Sequence, residues 1–230
     1  MDRQGNTYTF LYASVMVIVV AAILAFLAQS LKPMQDKNEA VAKKMDILKS
    51  VQIESTAANA VEKYNKYIEN AFVLNANGEK VEGDAFTVDM AKEVKKGDAE
   101  RAYPIYECKL DNGQTKYIIP LRGKGLWGPI WGYVSLDEDK NTVYGATFGH
   151  KGETPGLGAE ITTDMFQKPF TGKKLFDQGG DFASIEVVKK GQSQGDPHKV
   201  DGISGGTITS VGVGTMLEDC LSGYEKFLKN

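Results

Sequence analysis

Ser204, Gly205, Gly206 and Thr207 stand where a long polar loop, residues 191–203, runs into the last apolar-periodic stretch of the chain. Small residues at a helix start leave backbone N–H groups uncovered, and the helix dipole puts partial positive charge at the same end. A phosphate is the ligand such a place suits best. Ser204 has the side chain of an N-cap. A Ser-capped helix with no ligand reads the same way, so the four residues define a possible phosphate contact and no more.

Two further glycine-rich loops are candidates for contacts. Glu153, Thr154, Pro155, Gly156, Leu157 and Gly158 lie between a strand-like run and a short amphipathic stretch. Either this is a simple connection or it touches a ligand, since connecting loops carry a disproportionate share of binding residues. The segment 123–128 satisfies G-x-G-x-x-G literally. A dinucleotide fingerprint needs a helix directly after its glycines, whereas Pro129 and a strand with a second tryptophan follow here. That leaves a wide β-turn presenting Trp127, or a loop that covers a ligand.

Composition removes several other chemistries. The 230 residues are 42% hydrophobic and 25% charged, with a net charge of −3 and no basic block. A duplex nucleic-acid binder needs a concentrated Lys/Arg footprint, so that class is set aside. Cys108 and Cys220 are far apart and show no C-x-x-C spacing, so they build neither a zinc nor an iron–sulfur site. Both fall on apolar periods and read as buried free thiols. His150 and His198 are isolated and read as loop residues, so no metal site is expected.

The elements that would position these loops follow from the periods. Residues 8–28 form an uncharged apolar run, about the ~20 residues a helix needs to cross hydrocarbon. Tyr8 and Tyr12 sit near one end, where aromatic rings favour the interface. A cleaved signal peptide has a shorter apolar core of about 7–15 residues and a more basic start than residues 1–6, so an uncleaved anchor fits better. Pro33 stands where a new helix can begin, with Val41, Met45, Leu48 and Val51 at helical steps. A second helix is expected over 57–71, with Val61, Tyr64 and Ile68 on one face. Strands are expected at 103–110, 116–121, 130–136 and 142–148, with hairpin connections at 111–113 and 137–141. A closing helix starts near Thr207, with Val213, Met216, Leu217, Cys220, Tyr224, Phe227 and Leu228 on its apolar face. Helices, then an antiparallel meander, then a helix make an α+β fold. The expected organisation is a transmembrane anchor over 1–30, a helical stalk over 31–72 and an antiparallel-sheet domain over 73–230, closed by the C-terminal helix.

The segment from Asp201 to Thr207, followed by Thr209, resembles the flavinylation motif D-x-x-S/T-G-A-T of the FMN-binding domain family. Gly206 stands where that motif carries alanine. The resemblance implies FMN esterified through its phosphate to Thr207 by a flavin transferase, which takes FMN from FAD. It implies Asp201, Ser204, Gly205, Gly206 and Thr209 as the recognition and phosphate environment. Glu153, Thr154, Gly156 and Leu157 are then expected as ring or ribityl contacts, with Trp127 as a nearby aromatic. No catalytic residue is implied.

The likeness is wider than the motif. The apolar span, the run 31–36, the following helix ending in Ile47 and Leu48, and the runs 126–132 and 150–158 are together similar to the C subunit of the sodium-translocating NADH:quinone reductases. The G subunit of Rnf-type ferredoxin:NAD oxidoreductases carries a similar anchored flavin domain. The resemblance implies an electron carrier without catalysis of its own. It would receive an electron from an iron centre in the membrane subunits and hand it to a second covalent flavin. It also implies a bacterial inner membrane with the FMN domain in the periplasm. The charge tally points the other way, because Arg3 faces Lys32, Lys37, Lys43 and Lys44 across the span. Those lysines alternate with Asp36 and Glu39, so the family placement is preferred. A flavin-free, membrane-anchored extracytoplasmic binding domain is the alternative of a different class.

Overall fold

The computed structural model describes residues 5–230. Arg3 and the rest of the short N-terminal segment used in the charge tally lie outside them. The chain separates into two compact units, residues up to Lys43 and residues Lys44–Asn230.

From Asn6 on, the first unit belongs to α1 (Asn6–Ser50), whose apolar stretch is long enough to cross a membrane and whose side chains there are not buried. The helix expected to begin at Pro33 does not begin there: Pro33 lies inside α1, which continues through it. An interior proline costs roughly 3 kcal/mol against alanine. The long run of helix-forming and apolar residues on either side offsets that cost.

In the second unit the last turn of α1 buries Ile47 and Leu48. α2 (Ala60–Tyr67) is shorter than expected, because residues 68–71 belong to β1 (Ile68–Leu74). The other strands are β2 (Lys80–Val81), β3 (Tyr103–Lys109), β4 (Thr115–Lys124), β5 (Pro129–Leu136) and β6 (Val143–His150). β1 pairs antiparallel with β3, from Ile68 opposite Cys108 to Leu74 opposite Tyr103. This ladder gives the backbone of 68–71 partners outside a helix. α3 (Met90–Glu93) lies between β2 and β3, and α4 (Asp164–Gln167) follows β6.

The six strands form one antiparallel sheet in the order β2-β1-β3-β4-β5-β6. Alternation along the strands divides the core in two. Tyr103, Ile105, Ile119, Leu121, Ile130 and Val134 join the cluster that includes Val213, Met216 and Leu217. Tyr106, Cys108, Ile118 and Tyr133 join Ile47 and Val51 in another. Both cysteines are free and buried, and burial pushes the Cys108 thiol up to about 12 and the Cys220 thiol up to about 11.

The polar loop expected over 191–203 also contains structure. β7 (Glu186–Val188) pairs in parallel with β8 (Lys199–Asp201), with Val187 opposite Val200. The chain then enters α5 (Thr207–Leu221), breaks into a 3₁₀ turn at Ser222–Tyr224 and ends in α6 (Glu225–Leu228). α5 is a poor helix by propensity: Gly212 and Gly214 lie inside it, each costing roughly 0.5–1 kcal/mol against alanine. Val213, Met216, Leu217, Cys220 and Leu221 are buried on its inner face. At roughly 1.5–3 kcal/mol for a fully buried aliphatic side chain, packing outweighs propensity.

Candidate functional site

Thr207 is the first residue of α5, and its side chain is exposed. The N-cap position belongs to Gly206, which supplies no side-chain cap, so the expected capping by Ser204 does not occur. The chain makes a turn first: the Gly206 N–H donates to the Ile203 carbonyl at 3.0 Å, and the Ser210 N–H closes on the Gly206 carbonyl at 2.9 Å. The Ser210 hydroxyl accepts from the Ile203 N–H at 3.0 Å, which secures the turn from inside the helix. Ser204 is left exposed, two residues before the cap.

The two glycines differ in what holds them. Gly205 has φ of +78°, a left-handed conformation that L side chains rarely adopt, and a Cβ there would lie 2.7 Å from Leu157 Cδ2. Gly206 has φ of −105°, open to any residue. A Cβ on it would sit 3.0 Å from the Leu157 carbonyl group. The 153–158 loop therefore lies directly against the start of α5.

Thr209 is placed differently from Thr207. Its side chain is buried, and its hydroxyl donates to Glu153 Oε2 at 2.6 Å. Glu153 is itself buried, and its Oε1 accepts the Trp127 N–H at 2.9 Å. Burial raises the Glu153 pKa, but the Thr209 hydroxyl, the Trp127 and Gly128 amides and the nearby His150 outweigh it and hold the carboxyl below its ordinary value. The Glu153 N–H donates to His150 Nδ1 at 3.1 Å, which gives that histidine a loop-fixing contact.

Thr154 and Gly156 shape the same loop through their backbones. The Thr154 carbonyl accepts from the Leu157 and Ala159 N–H groups, both at 3.1 Å. Gly156 takes φ of +76° and donates its N–H to Glu160 Oε1 at 2.9 Å. Leu157 and Trp127 are exposed, at 41% and 69%. Trp127 sits at the tip of the β4–β5 hairpin, where Lys124 pairs with Pro129 and the Gly125 N–H bonds the Gly128 carbonyl at 2.8 Å. The G-x-G-x-x-G segment is thus the end of a strand and a hairpin turn.

Asp201 ends β8 and serves a separate loop. Its carboxylate accepts the Gly191 N–H at 2.8 Å and the Ser193 N–H at 3.0 Å, and these contacts, Gly191 first, hold its pKa below the ordinary value. That turn carries Lys189 and Lys190, which line a groove of about 620 Å³ together with Ser204, Gly205 and Thr207. Sequence reasoning missed both lysines. The signal available was their pairing directly after two valines and before Gly191. A second groove, of about 840 Å³, runs along α5 and is lined by Ile208, Val211, Met216, Arg122 and Lys124.

These features fit a tethered phosphate. An uncapped start on a 15-residue helix faces a hydroxyl in the open, a glycine pair leaves no side chains over it, and two lysines stand at the groove. Among the described residues no cluster of His, Cys, Asp and Glu is arranged to hold a metal ion.

The class of protein this fold and site define is an FMN-binding domain: that family's model matches residues 125–222, from the Trp127 turn through α5. Relatives extend the likeness over most of the chain. It is 36% identical over 212 residues to the C subunit of the Na(+)-translocating NADH-quinone reductase of Vibrio vulnificus strain YJ016, covering 85% of this chain and 83% of that protein. It is also 36% identical over 228 residues to the corresponding Haemophilus ducreyi protein, covering 92% and 88%. The crystal structure of the same reductase component from Parabacteroides distasonis ATCC 8503 superimposes with a TM-score of 0.81 at 52% identity, over 87% of this chain and 98% of that one. Shewanella oneidensis NqrC gives a TM-score of 0.70 at 26% identity, over 85% and 99%. The chain belongs to the NqrC family, the C subunits of Na(+)-translocating NADH-quinone reductases.

Proposed function

We propose that this protein is the electron-carrier component of a sodium-translocating NADH:quinone reductase, holding FMN through a phosphoester to Thr207. The observation that carries the reading is the contrast between two threonines of one helical turn. Thr207 is exposed at the open start of α5, whereas Thr209 is buried with its hydroxyl engaged by Glu153. When bound, FMN supplies reversible one- and two-electron chemistry.

The chain's own residues supply attachment and placement. Thr207 would hold FMN as a phosphate ester on its hydroxyl, and the first-turn amides of α5, together with Lys189 and Lys190, would offset the charge of that phosphodiester. Asp201 fixes the turn that carries those lysines, and Gly205 keeps the approach to Thr207 open. Leu157 and Trp127 present apolar surface to one side of the attachment point for a flat ring. The electron is received from and passed to other components of the complex.

Family membership favours this reading over the G subunit of an Rnf-type enzyme and over a flavin-free binding domain. We place the domain in the periplasm, with α1 as a single-pass anchor in the inner membrane. Protease added to intact spheroplasts should digest the domain, and protection until lysis would reverse the orientation. The cofactor reading is tested by coexpression with the flavin transferase followed by denaturation. Yellow colour should stay with the polypeptide, and a colourless polypeptide would refute the covalent link.

A further inference from the structure

We propose that Glu153 is a positioning residue whose carboxylate ties three segments near Thr207 into one unit: the Trp127 turn, the 153–158 loop and the first turn of α5. Its purpose rests on the flavin reading above, while its geometry does not.

Each carboxylate oxygen has a donor from a different segment. Oε1 takes the Trp127 N–H at 2.9 Å, and Oε2 takes the Thr209 hydroxyl at 2.6 Å. The residue's own N–H is held by His150 Nδ1 at 3.1 Å, so the loop is fixed at its base as well. Backbone closes on the carboxylate from two sides. A Cβ on Gly125 would lie 2.5 Å from Oε1, and one on Gly158 would lie 2.6 Å from Oε2. Those two glycines are needed for close packing against the carboxylate.

The consequence lies at the surface. Trp127 is 69% exposed, so the core does not set its position. Its placement follows from the backbone that bears it, which Glu153 anchors through the Trp127 N–H. A buried carboxylate is tolerated when its oxygens are satisfied, and removing one acceptor releases a donor that nothing else serves. Loss of Glu153 would therefore free the Trp127 turn from the helix that carries the tether, while Thr207 stays accessible.

Amide hydrogen exchange in flavin-free Thr207→Val protein tests the geometry, and redox titration of the flavin-loaded protein tests the purpose. Glu153→Gln should speed exchange at the Trp127 N–H by about tenfold, because a charge-assisted hydrogen bond becomes a neutral one. Thr209→Val should speed it less, and Thr209→Ser, which keeps the hydroxyl, should match the wild type. In loaded protein, Glu153→Gln and Thr209→Val should retain covalent flavin but shift its midpoint potential and visible circular dichroism, with Thr209→Ser again restoring both. If Glu153→Gln does not fold, the Thr209 pair decides alone. Unchanged Trp127 exchange, or faster exchange with an unmoved potential, overturns the proposal. Flavin absent from wild-type protein made with the transferase would instead sink the Thr207 reading and leave the exchange result standing.

Discussion

The Thr209 hydroxyl lies 2.6 Å from Glu153 Oε2, inside the protein, within one helical turn of a threonine that faces out. A hydroxyl this deeply buried is out of reach of an external donor, because reaching it means opening the site. Thr209→Val should therefore keep covalent flavin at wild-type stoichiometry. It should also lower stability by about 1–3 kcal/mol, since one oxygen of Glu153 loses its donor. Thermal unfolding and flavin absorbance on one preparation check both. Loss of flavin with the fold intact would make Thr209 part of the attachment chemistry.

The glycine pair should respond unequally. Gly205→Ala forces a left-handed alanine, at roughly 1–2 kcal/mol, and drives its Cβ into Leu157. It should reduce both stability and flavin incorporation. Gly206→Ala occupies an ordinary conformation and needs Leu157 to yield by a few tenths of an ångström. Its net effect should stay within about 1 kcal/mol, with flavin retained. Equal damage from the two substitutions would contradict the assignment of strain to Gly205 alone.

Acid should loosen the site through Glu153. Its folded pKa lies below the ordinary 4.5, so its stabilisation is complete above that value and is lost as pH falls through the lower folded value. Wild-type protein should unfold at a higher temperature than Glu153→Gln at neutral pH, and the gap should close only in that acidic range. Melting curves across pH 3–7, a span of roughly the carboxylate range and above, make the comparison. A gap that vanishes near neutrality would mean that Glu153 is already protonated there.

Leu157→Ala separates the tether from the ring's surroundings. The side chain leans over Gly205 and remains 41% exposed, so its removal opens little of the core. Covalent flavin should remain, while its absorption spectrum and midpoint potential change. An unaltered spectrum and potential would leave the Trp127 turn as the surface nearest the ring.

Four of the strands were readable as short runs rich in β-branched and aromatic residues, and the β3–β4 and β5–β6 turns carry Asn-Gly or Asp-rich connections. Thr207 was singled out by its motif, and it lies exposed at the start of α5. Other features were not legible for physical reasons. The strand at Ile68–Leu74 depends on a partner, β3, that lies far away in sequence. β8 is only three residues long and forms by pairing with β7 across a loop, so it has no periodicity of its own. Ser204 has the right side chain for a cap, but the Ile203–Gly206 turn moves the helix start beyond its reach. The bond between Glu153 and Thr209 spans 56 positions and joins a loop to the first turn of α5, two regions that each looked like a separate contact region.

Peptide mapping of protein coexpressed with its flavin transferase tests the Thr207 linkage most directly. Trypsin should release residues 200–226, with Lys199 before and Lys226 at the end, as one flavin-bearing peptide. Fragmentation should place the FMN mass on Thr207, and Thr207→Val should yield the same peptide unmodified from a folded protein. FMN found on Thr209 or on another peptide, or a flavin-bearing Thr207→Val protein, would contradict that linkage.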